Sequence, residues 1–142
     1  MFNDSITIYN YFRDAKNGID VAYYKTQISG VMWSEKVETT FDSSKIITAG
    51  KVVWITIPTS KMSCDKEYLA YAQWQDSDDK DSYWTVNPSG QDVVAKGALD
   101  AELSGTYTLS KLKADYGEAV TVISFADYTN RNGLKHYKVG GR

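Results

Sequence analysis

An acidic stretch is the part of this sequence whose residue types and spacing come nearest to a metal-binding motif. The stretch Gln75–Ser82 contains four aspartates: Asp76, Asp78, Asp79 and Asp81. Calcium loops place oxygen ligands at alternate positions, and Asp76-x-Asp78 begins in that way. Lys80 occupies the next alternate position, and the loop lacks both the glycine of the sharp turn and the closing glutamate. We therefore expect an exposed, solvated loop without a metal ion.

The chain has one thiol, Cys64, and one imidazole, His136. A nucleophile–base pair or a zinc site needs partners of suitable type close in space, and these two residues belong to different segments. An ordinary strand histidine is the expected role of His136, with a Cys64–His136 pair as the alternative. A single cysteine also excludes an intrachain disulfide.

Enzymatic motifs are absent from the sequence. It has no P-loop, no G-x-G-x-x-G and no G-x-S-x-G. With 18 acidic residues in the chain, a hydrolase that uses a pair of catalytic carboxylates remains an alternative. However, no pattern places two carboxylates in an apolar pocket that would raise the pKa of one of them. The prediction is a protein without catalytic residues and without a cofactor.

Aromatic residues make up 13% of the chain, and they suit both β structure and contact surfaces. The tryptophans are Trp33, Trp54, Trp74 and Trp84. We expect most of them to fill a β core. The alternative is a stacking platform for sugars, in which Trp74, Tyr83 and Trp84 beside the polar loop would make the chain a carbohydrate-binding module.

Length and charge narrow the class of protein. A chain of 142 residues is predicted to form a single domain, 1–142, with a sizeable core. Its net charge of −2 argues against a protein that wraps phosphate backbones, although not against one that surrounds DNA in a channel. The first residues do not resemble a signal peptide, and no apolar run approaches the length of a membrane span. The expected product has no membrane partner and accumulates in the cytoplasm of the cell that makes it.

The strongest strand signal lies in Lys51–Pro58, which reads K-V-V-W-I-T-I-P. Its β-branched residues fit a pleated surface, and apolar groups on both faces predict a central strand covered on both sides. Gly50 and Pro58 are its expected limits. Other strands are predicted at Ser5–Phe12, Val21–Ser29, Val31–Phe41, Tyr83–Asn87, Asp92–Gly97, Ala119–Phe125 and Leu134–Val139.

Local signals add further expectations. The turn Asp14–Gly18 joins the first two strands, Gly30 marks a bulge or a bend, and Tyr83–Asn87 forms a hairpin with Asp92–Gly97. Short helices are expected in Glu67–Gln75, capped by Asp65, and in Lys111–Tyr116, capped by Ser110 and stopped by Gly117. Gly140–Arg142 is expected to be a loose tail. Seven or eight short strands predict a mainly β, single-domain barrel or sandwich with one or two short helices.

Several fragments, in order along most of the chain, resemble an uncharacterised family of small proteins from tailed bacteriophages and prophages. They are Ser5–Asn10, Ile28–Trp33, Tyr83–Val86, Lys96-Gly97, Thr108–Leu112 and Leu134–Gly140. That family is encoded among virion genes, near those of the capsid, connector and tail. The resemblance carries no catalytic residues.

The resemblance implies a structural virion protein at the head–tail junction, similar to stopper or head-closure proteins, made in the bacterial host cytoplasm. Such proteins are small β-barrels that form a homo-oligomeric ring in the neck, beneath the portal and adaptor. They retain packaged DNA without reading its sequence and dock the tail. A tail terminator or a minor head protein is the alternative within the same class.

A ring subunit needs segments that reach its neighbours. The polar segment Thr59–Ser82 is predicted to project into the channel or to contact an adjacent subunit. The candidate interface residues are Asp76, Asp78, Asp79, Asp81, Trp74 and Tyr83.

Overall fold

A computed structural model describes residues 2–14, 18–42, 45–89, 91–104 and 106–142. For residues 14, 19–20, 38–42 and 45–50 it describes the backbone alone. The strands are β1 Asp4–Asp14, β2 Ile19–Asp42, β3 Lys45–Pro58, β4 Glu67–Tyr68, β5 Tyr83–Trp84, β6 Val93–Lys96, β7 Ala119–Asp127 and β8 His136–Gly141. The helices are α1 Tyr71–Trp74, α2 Leu109–Tyr116 and a 3-10 helix at Lys80–Ser82.

Six of these strands form a closed barrel in the order β1-β2-β3-β8-β7-β6, and every neighbouring pair is antiparallel. Closure gives each barrel strand two partner strands, although pairing on both sides does not extend along the full length of β1 and β2. The predicted mainly β fold is confirmed, as a barrel rather than a sandwich. Within the described chain no helix is long and apolar enough to cross a bilayer.

Strand β2 serves two partners in succession, and Gly30 marks the change. Its first part pairs with β1 as far as Val31, and the part from Met32 onward pairs with β3. Gly30 has a φ of +75°, and the β1–β2 register shifts beside it, as predicted for a bulge. A Cβ at this position would collide with the backbone carbonyl of Lys61. Of the turn predicted at Asp14–Gly18, residues 15–17 lie outside the described residues.

The barrel interior is apolar because alternate residues of each strand face inward. Strand β3 illustrates the pattern, since Val53, Ile55 and Ile57 are fully buried while Trp54, on the opposite face, is 36% exposed. The predicted strand is confirmed as a barrel strand, but its outer face is covered only in part, since Val52 is buried there and Trp54 is exposed. Its predicted start at Gly50 is wrong, because β3 begins at Lys45.

A second apolar layer covers the outside of the barrel over β1, β6 and β7. Tyr9 lies on the strand face opposite Ile6 and Ile8, and it packs with Leu103 and Leu112. The Tyr9 hydroxyl donates a hydrogen bond to the carbonyl of Ala101 at 2.7 Å. Helix α2 thus rests on the barrel wall. It begins at Leu109, two residues before the predicted start, and Gly117 with a φ of 78° ends it as predicted.

The segment between β3 and β6 folds back over the barrel instead of projecting as a whole. Ser29 and Ser63 form a backbone bridge, and the parallel pair β4–β5 follows. Helix α1 buries Trp74 against Phe12 and Tyr24. The predicted helix over Glu67–Gln75 is therefore correct only for its last turn, and Ala70, not Asp65, occupies the N-cap.

Two local predictions are wrong for reasons of long-range pairing. Tyr83–Asn87 does not form a hairpin with Asp92–Gly97, because β6 fills the gap between β1 and β7 and so closes the barrel. The chain end is not a loose tail either. Gly140 and Gly141 belong to β8 and are buried, and Arg142 exchanges two backbone hydrogen bonds with Thr121.

Candidate functional site: the β-ribbon and its base

Strands β2 and β3 continue beyond the barrel wall as a two-stranded antiparallel ribbon. We define the ribbon as Glu38–Asp42 paired with Lys45–Gly50. Strand β8 accompanies β3 only from Val53 onward, and β1 accompanies β2 only up to Val31. In the described chain, the ribbon strands consequently pair with each other and with no third strand.

The ribbon presents backbone groups on both of its outer edges. In an antiparallel pair, alternate residues of each strand turn their N–H and C=O groups away from the partner strand. At about 3.3 Å per residue, strands of this length extend roughly 15–20 Å from the wall. Such edges are able to accept a further β-strand on either side.

The base of the ribbon is fixed by side chains. The Trp33 indole donates a hydrogen bond to Glu35 Oε1 at 3.0 Å, and Lys51 Nζ lies 3.3 Å from the same oxygen. The hydrogen bond from Trp33, followed by that from Lys51, lowers the pKa of Glu35. The Trp33 backbone N–H donates to Asp4 Oδ2 at 2.9 Å. The base of the ribbon, which comprises Trp33–Val37 of β2 and Lys51 of β3, is thereby connected to β1 as well as to β3.

The base also exposes one apolar side chain. Val37 lies one residue before the ribbon and is 56% exposed, more than any other large apolar side chain whose exposure is described. A single exposed valine is ordinary on a surface. Val37 is paired with Lys51, directly before the strands of the ribbon.

The acidic loop is exposed, as the sequence predicts. All four aspartates, Asp76, Asp78, Asp79 and Asp81, lie at the surface. Lys80 turns back toward the protein, with Nζ 2.7 Å from the Ser77 carbonyl oxygen and 4.3 Å from the centre of the Phe12 ring. Among the described residues, no group of three or more His, Cys, Asp or Glu side chains is placed to hold a metal ion.

The aromatic residues proposed for a stacking platform do not present their faces to solvent. Trp74 is 0% exposed and Trp84 is 1% exposed. Trp84 packs edge-on against Tyr68 and Tyr137, in a cluster that belongs to the core. Tyr83 is half-buried in β5. Carbohydrate stacking needs an accessible ring face, so these three residues do not form a sugar platform in this conformation.

Cys64 and His136 occupy separate environments. Cys64 is half-buried against the core, where burial raises the pKa of its thiol, and its sulfur accepts a hydrogen bond from the Lys66 N–H. A thiol with a raised pKa is a poor nucleophile at neutral pH. The ring of His136 lies against Tyr128, with 5.0 Å between ring centres. Each contacts its own neighbours, and no contact joins them among the described residues.

One buried polar centre was not anticipated from the sequence. Asp92 is fully buried and accepts hydrogen bonds from the backbone N–H groups of Tyr11 and Asn87 and from Asn10 Nδ2, each at 2.9 Å. Asn10 Nδ2 also donates to the Thr85 carbonyl at 2.7 Å. The centre therefore joins β1 to the connection between β5 and β6.

A sequence signal for this centre did exist. Asn10 shares its strand face with Ile6 and Ile8, and an amide on an apolar face must find partners when it is buried. Nothing in the sequence identified Asp92 as that partner, because the two residues are 82 positions apart. The centre is structural, since both side chains are enclosed by the protein.

Comparison with known protein families identifies the family of this chain. A family model described as a family of unknown function, DUF6751, matches residues 1–142. The chain belongs to the DUF6751 family. No curated protein and no solved structure matches it.

Proposed function

We propose that this DUF6751 protein is a structural subunit of a tailed-bacteriophage virion at the head–tail junction. Its copies form a ring that retains packaged DNA and docks the tail. The observation that carries the proposal is the combination of a closed barrel with a ribbon whose two edges are unpaired. The fragments that resemble tailed-phage proteins favour a virion over another assembly for this building block.

The barrel suits a load-bearing subunit. Its interior is apolar and closed, and a second apolar layer braces the outside over β1, β6 and β7. Tightly packed interiors transmit strain with little compression. A ring that holds DNA under pressure needs subunits of this kind.

The charge of the chain also suits a DNA channel. A net charge of −2 gives no strong attraction to phosphate, so DNA is able to pass or be held without a grip on its backbone. The exposed part of the acidic loop, Gln75–Ser82, is the candidate contact with the portal, the adaptor or the tail. The rest of the segment Thr59–Ser82 packs on its own barrel and is no longer the candidate for the projecting part.

The test is a phage in which this gene is inactivated. We expect heads that package DNA but acquire no tails, as seen by electron microscopy. These heads should then lose their DNA, as measured by its sensitivity to nuclease. Complementation with the intact gene is the control. Tails of uncontrolled length would indicate a tail terminator instead, and infectious particles of normal appearance would overturn the proposal.

A second measurement locates the protein directly. A reconstruction of the intact neck is expected to show the six-stranded barrel in a ring on the axis between portal and tail. Density for the barrel in the capsid shell or the tail tip would contradict the proposed position.

A further inference from the structure

We infer that neighbouring copies in the ring join head to tail, with the β2 edge of one ribbon paired to the β3 edge of the next. The ribbons then form one continuous antiparallel sheet that closes into a second, larger barrel around the axis. The inference rests on the proposed function for the existence of a ring, and it names the surface and the partner that build it. The partner is a second copy of this chain.

The direction of the ribbon strands favours this pairing between copies. Within one ribbon, Glu38–Asp42 and Lys45–Gly50 run antiparallel. When ribbons stand side by side in the same orientation, the β2 strand of one copy is next to the β3 strand of its neighbour, and this pair is again antiparallel. The hydrogen-bond pattern inside the ribbon therefore continues between copies without a change of type.

Strand edges without a partner also favour pairing through the ribbon. Each barrel strand has two partner strands, and the β4–β5 pair is only two residues long. Asn10–Asp14 of β1 and Ile19–Ile28 of β2 also have one edge without a partner strand, but helix α1 packs on this pair through Phe12 and Tyr24. Among the described residues, both strands of the ribbon lack a partner strand on their outer edge. A two-stranded ribbon is marginally stable alone in water, and a third strand adds to its stability.

The charges on the two strands of the ribbon favour pairing between unlike edges. By sequence, the β2 side of the ribbon has Glu38 and Asp42 and no basic residue, whereas the β3 side has Lys45 and no acidic residue. Pairing β2 with β3 brings opposite charges together. Pairing β2 with β2, or β3 with β3, brings like charges together, which is unfavourable for residues on facing strands.

The resulting contact is heterologous, because each copy contributes a different edge to each of its two neighbours. Heterologous contacts generate a ring when the rotation between copies closes. Isologous pairing of two β2 edges would stop at a dimer. The choice between these modes is therefore also a choice between a ring and a dimer, and it can be measured.

The experiment uses full-length chains with one cysteine each, in a Cys64→Ser background. One chain carries Thr39→Cys on the β2 side, and the other carries Thr48→Cys on the β3 side and a mass tag; these two positions share one face of the ribbon, because Thr39 is directly opposite Thr48 in its register. Each is oxidised alone and as an equimolar mixture, at high protein concentration. We expect several-fold more disulfide-linked dimer in the mixture than in either variant alone, with the mixed dimer as the main product.

The control is Ala114→Cys in the same background, at an exposed position of α2 far along the chain from the ribbon. Its mixtures with either ribbon variant are expected to give only background dimer. A dominant dimer from Thr39→Cys alone would show isologous pairing and overturn the inference. Equal background dimer in all samples, with thiols that react fully with a small reagent, would overturn it as well.

The outcome is separable from the proposed function. Mixed disulfides measured on the purified protein report how copies join, whatever structure they join in. If the mixed dimer dominates but phage without the gene keep their tails, the pairing mode stands and the head–tail assignment falls. If the mixed dimer is absent and the phage lose their tails, the reverse holds.

Discussion

Asp92 shows how a buried carboxylate is accommodated with no positively charged partner among the described residues. Its two oxygens accept three hydrogen bonds, from two backbone N–H groups and the Asn10 amide. Hydrogen bonds to a charged group are stronger than neutral ones, and they offset part of the cost of burial. The residue fixes the connection Asn87–Asp92 to the first strand of the barrel.

Asp92→Asn preserves the shape of the side chain but replaces one acceptor by an NH₂ donor. Because Asn10, Tyr11 and Asn87 all aim donors at this site, the new amide leaves at least one of them unpaired. We expect a loss of about 1–3 kcal/mol in the free energy of unfolding, measured by urea denaturation at neutral pH. Asp78→Asn, at an exposed position in the acidic loop, is the control and should change the value little. Equal effects of the two substitutions would contradict the role of Asp92.

The same carboxyl gives a pH dependence. Burial raises the pKa of Asp92 above its usual value of 3.8, and the hydrogen bonds from Asn87, Tyr11 and Asn10 oppose that rise. A group whose pKa is higher in the folded chain binds its proton more tightly there. Its contribution to stability is therefore complete below the usual pKa and is lost as pH rises through the folded value. We expect the difference in free energy of unfolding between the native protein and Asp92→Asn to be larger at about pH 3 than at about pH 7. A gap that grows toward neutral pH would contradict this sign.

Gly140 is required by the close packing of β8 between β3 and β7. A Cβ there would collide with Ser124 Oγ and would lie 2.7 Å from the Trp54 ring. Gly140→Ala is expected to cost about 1–3 kcal/mol of stability, as overpacking does. Ser124→Ala removes one of the two collisions, and Ser124 Oγ is buried without a hydrogen-bond partner among the described residues. The double variant should regain part of the loss in thermal unfolding. A double variant no more stable than Gly140→Ala would exclude the Ser124 collision as a cause.

At the level of elements, the change of partner along β2 depends on Gly30. Alanine at a left-handed φ costs roughly 1–2 kcal/mol, and Gly30→Ala would add the collision with the Lys61 carbonyl. Gly18→Ala is a matched control, since Gly18 has a φ of +73° and no described atom lies within 4 Å of the position that its Cβ would take. Denaturation of both variants is expected to show a clearly larger loss for Gly30→Ala. Equal losses would mean that the segment after β3 moves away freely.

The elements were predictable from the sequence where the signal is local. Alternation identified the strand that contains Ile6 and Ile8, and a run of β-branched residues identified the strand that contains Val53, Ile55 and Ile57. Gly117 predicted the end of α2, because a helix often ends at a residue with positive φ, a conformation that favours glycine.

Partners were less predictable than elements. The hairpin expected between Tyr83–Asn87 and Asp92–Gly97 follows from proximity in sequence, whereas β6 gains more by closing the barrel between β1 and β7. Trp74 was placed near a polar loop because its neighbours are polar, but its burial is decided by Phe12 and Tyr24, some 50 or more residues earlier in sequence. The sequence predicts the β2 side of the ribbon within Val31–Phe41, but not the part of β3 before Gly50 that pairs with it.

For the whole molecule, the ribbon is expected to be dispensable for folding and necessary for assembly. Replacing residues 38–50 by a short turn leaves the six barrel strands and both apolar layers in place. The thermal unfolding midpoint of the isolated chain should therefore change by only a few degrees or less, since surface changes away from the core have small effects on stability. The shortened gene should not restore tails to the mutant phage. Restoration by the shortened gene would place the assembly surface elsewhere.

The continuity of β2 has a mechanical consequence. One uninterrupted strand runs from its pairing with β1, through the bend at Gly30, into the ribbon, while β3 returns from the ribbon to lie beside β8. A pull along the ribbon would load the hydrogen bonds of these strand pairs in shear, many at once, instead of peeling them apart one by one. Tension applied at the ribbon would accordingly be shared across most of the barrel wall before any single strand gave way.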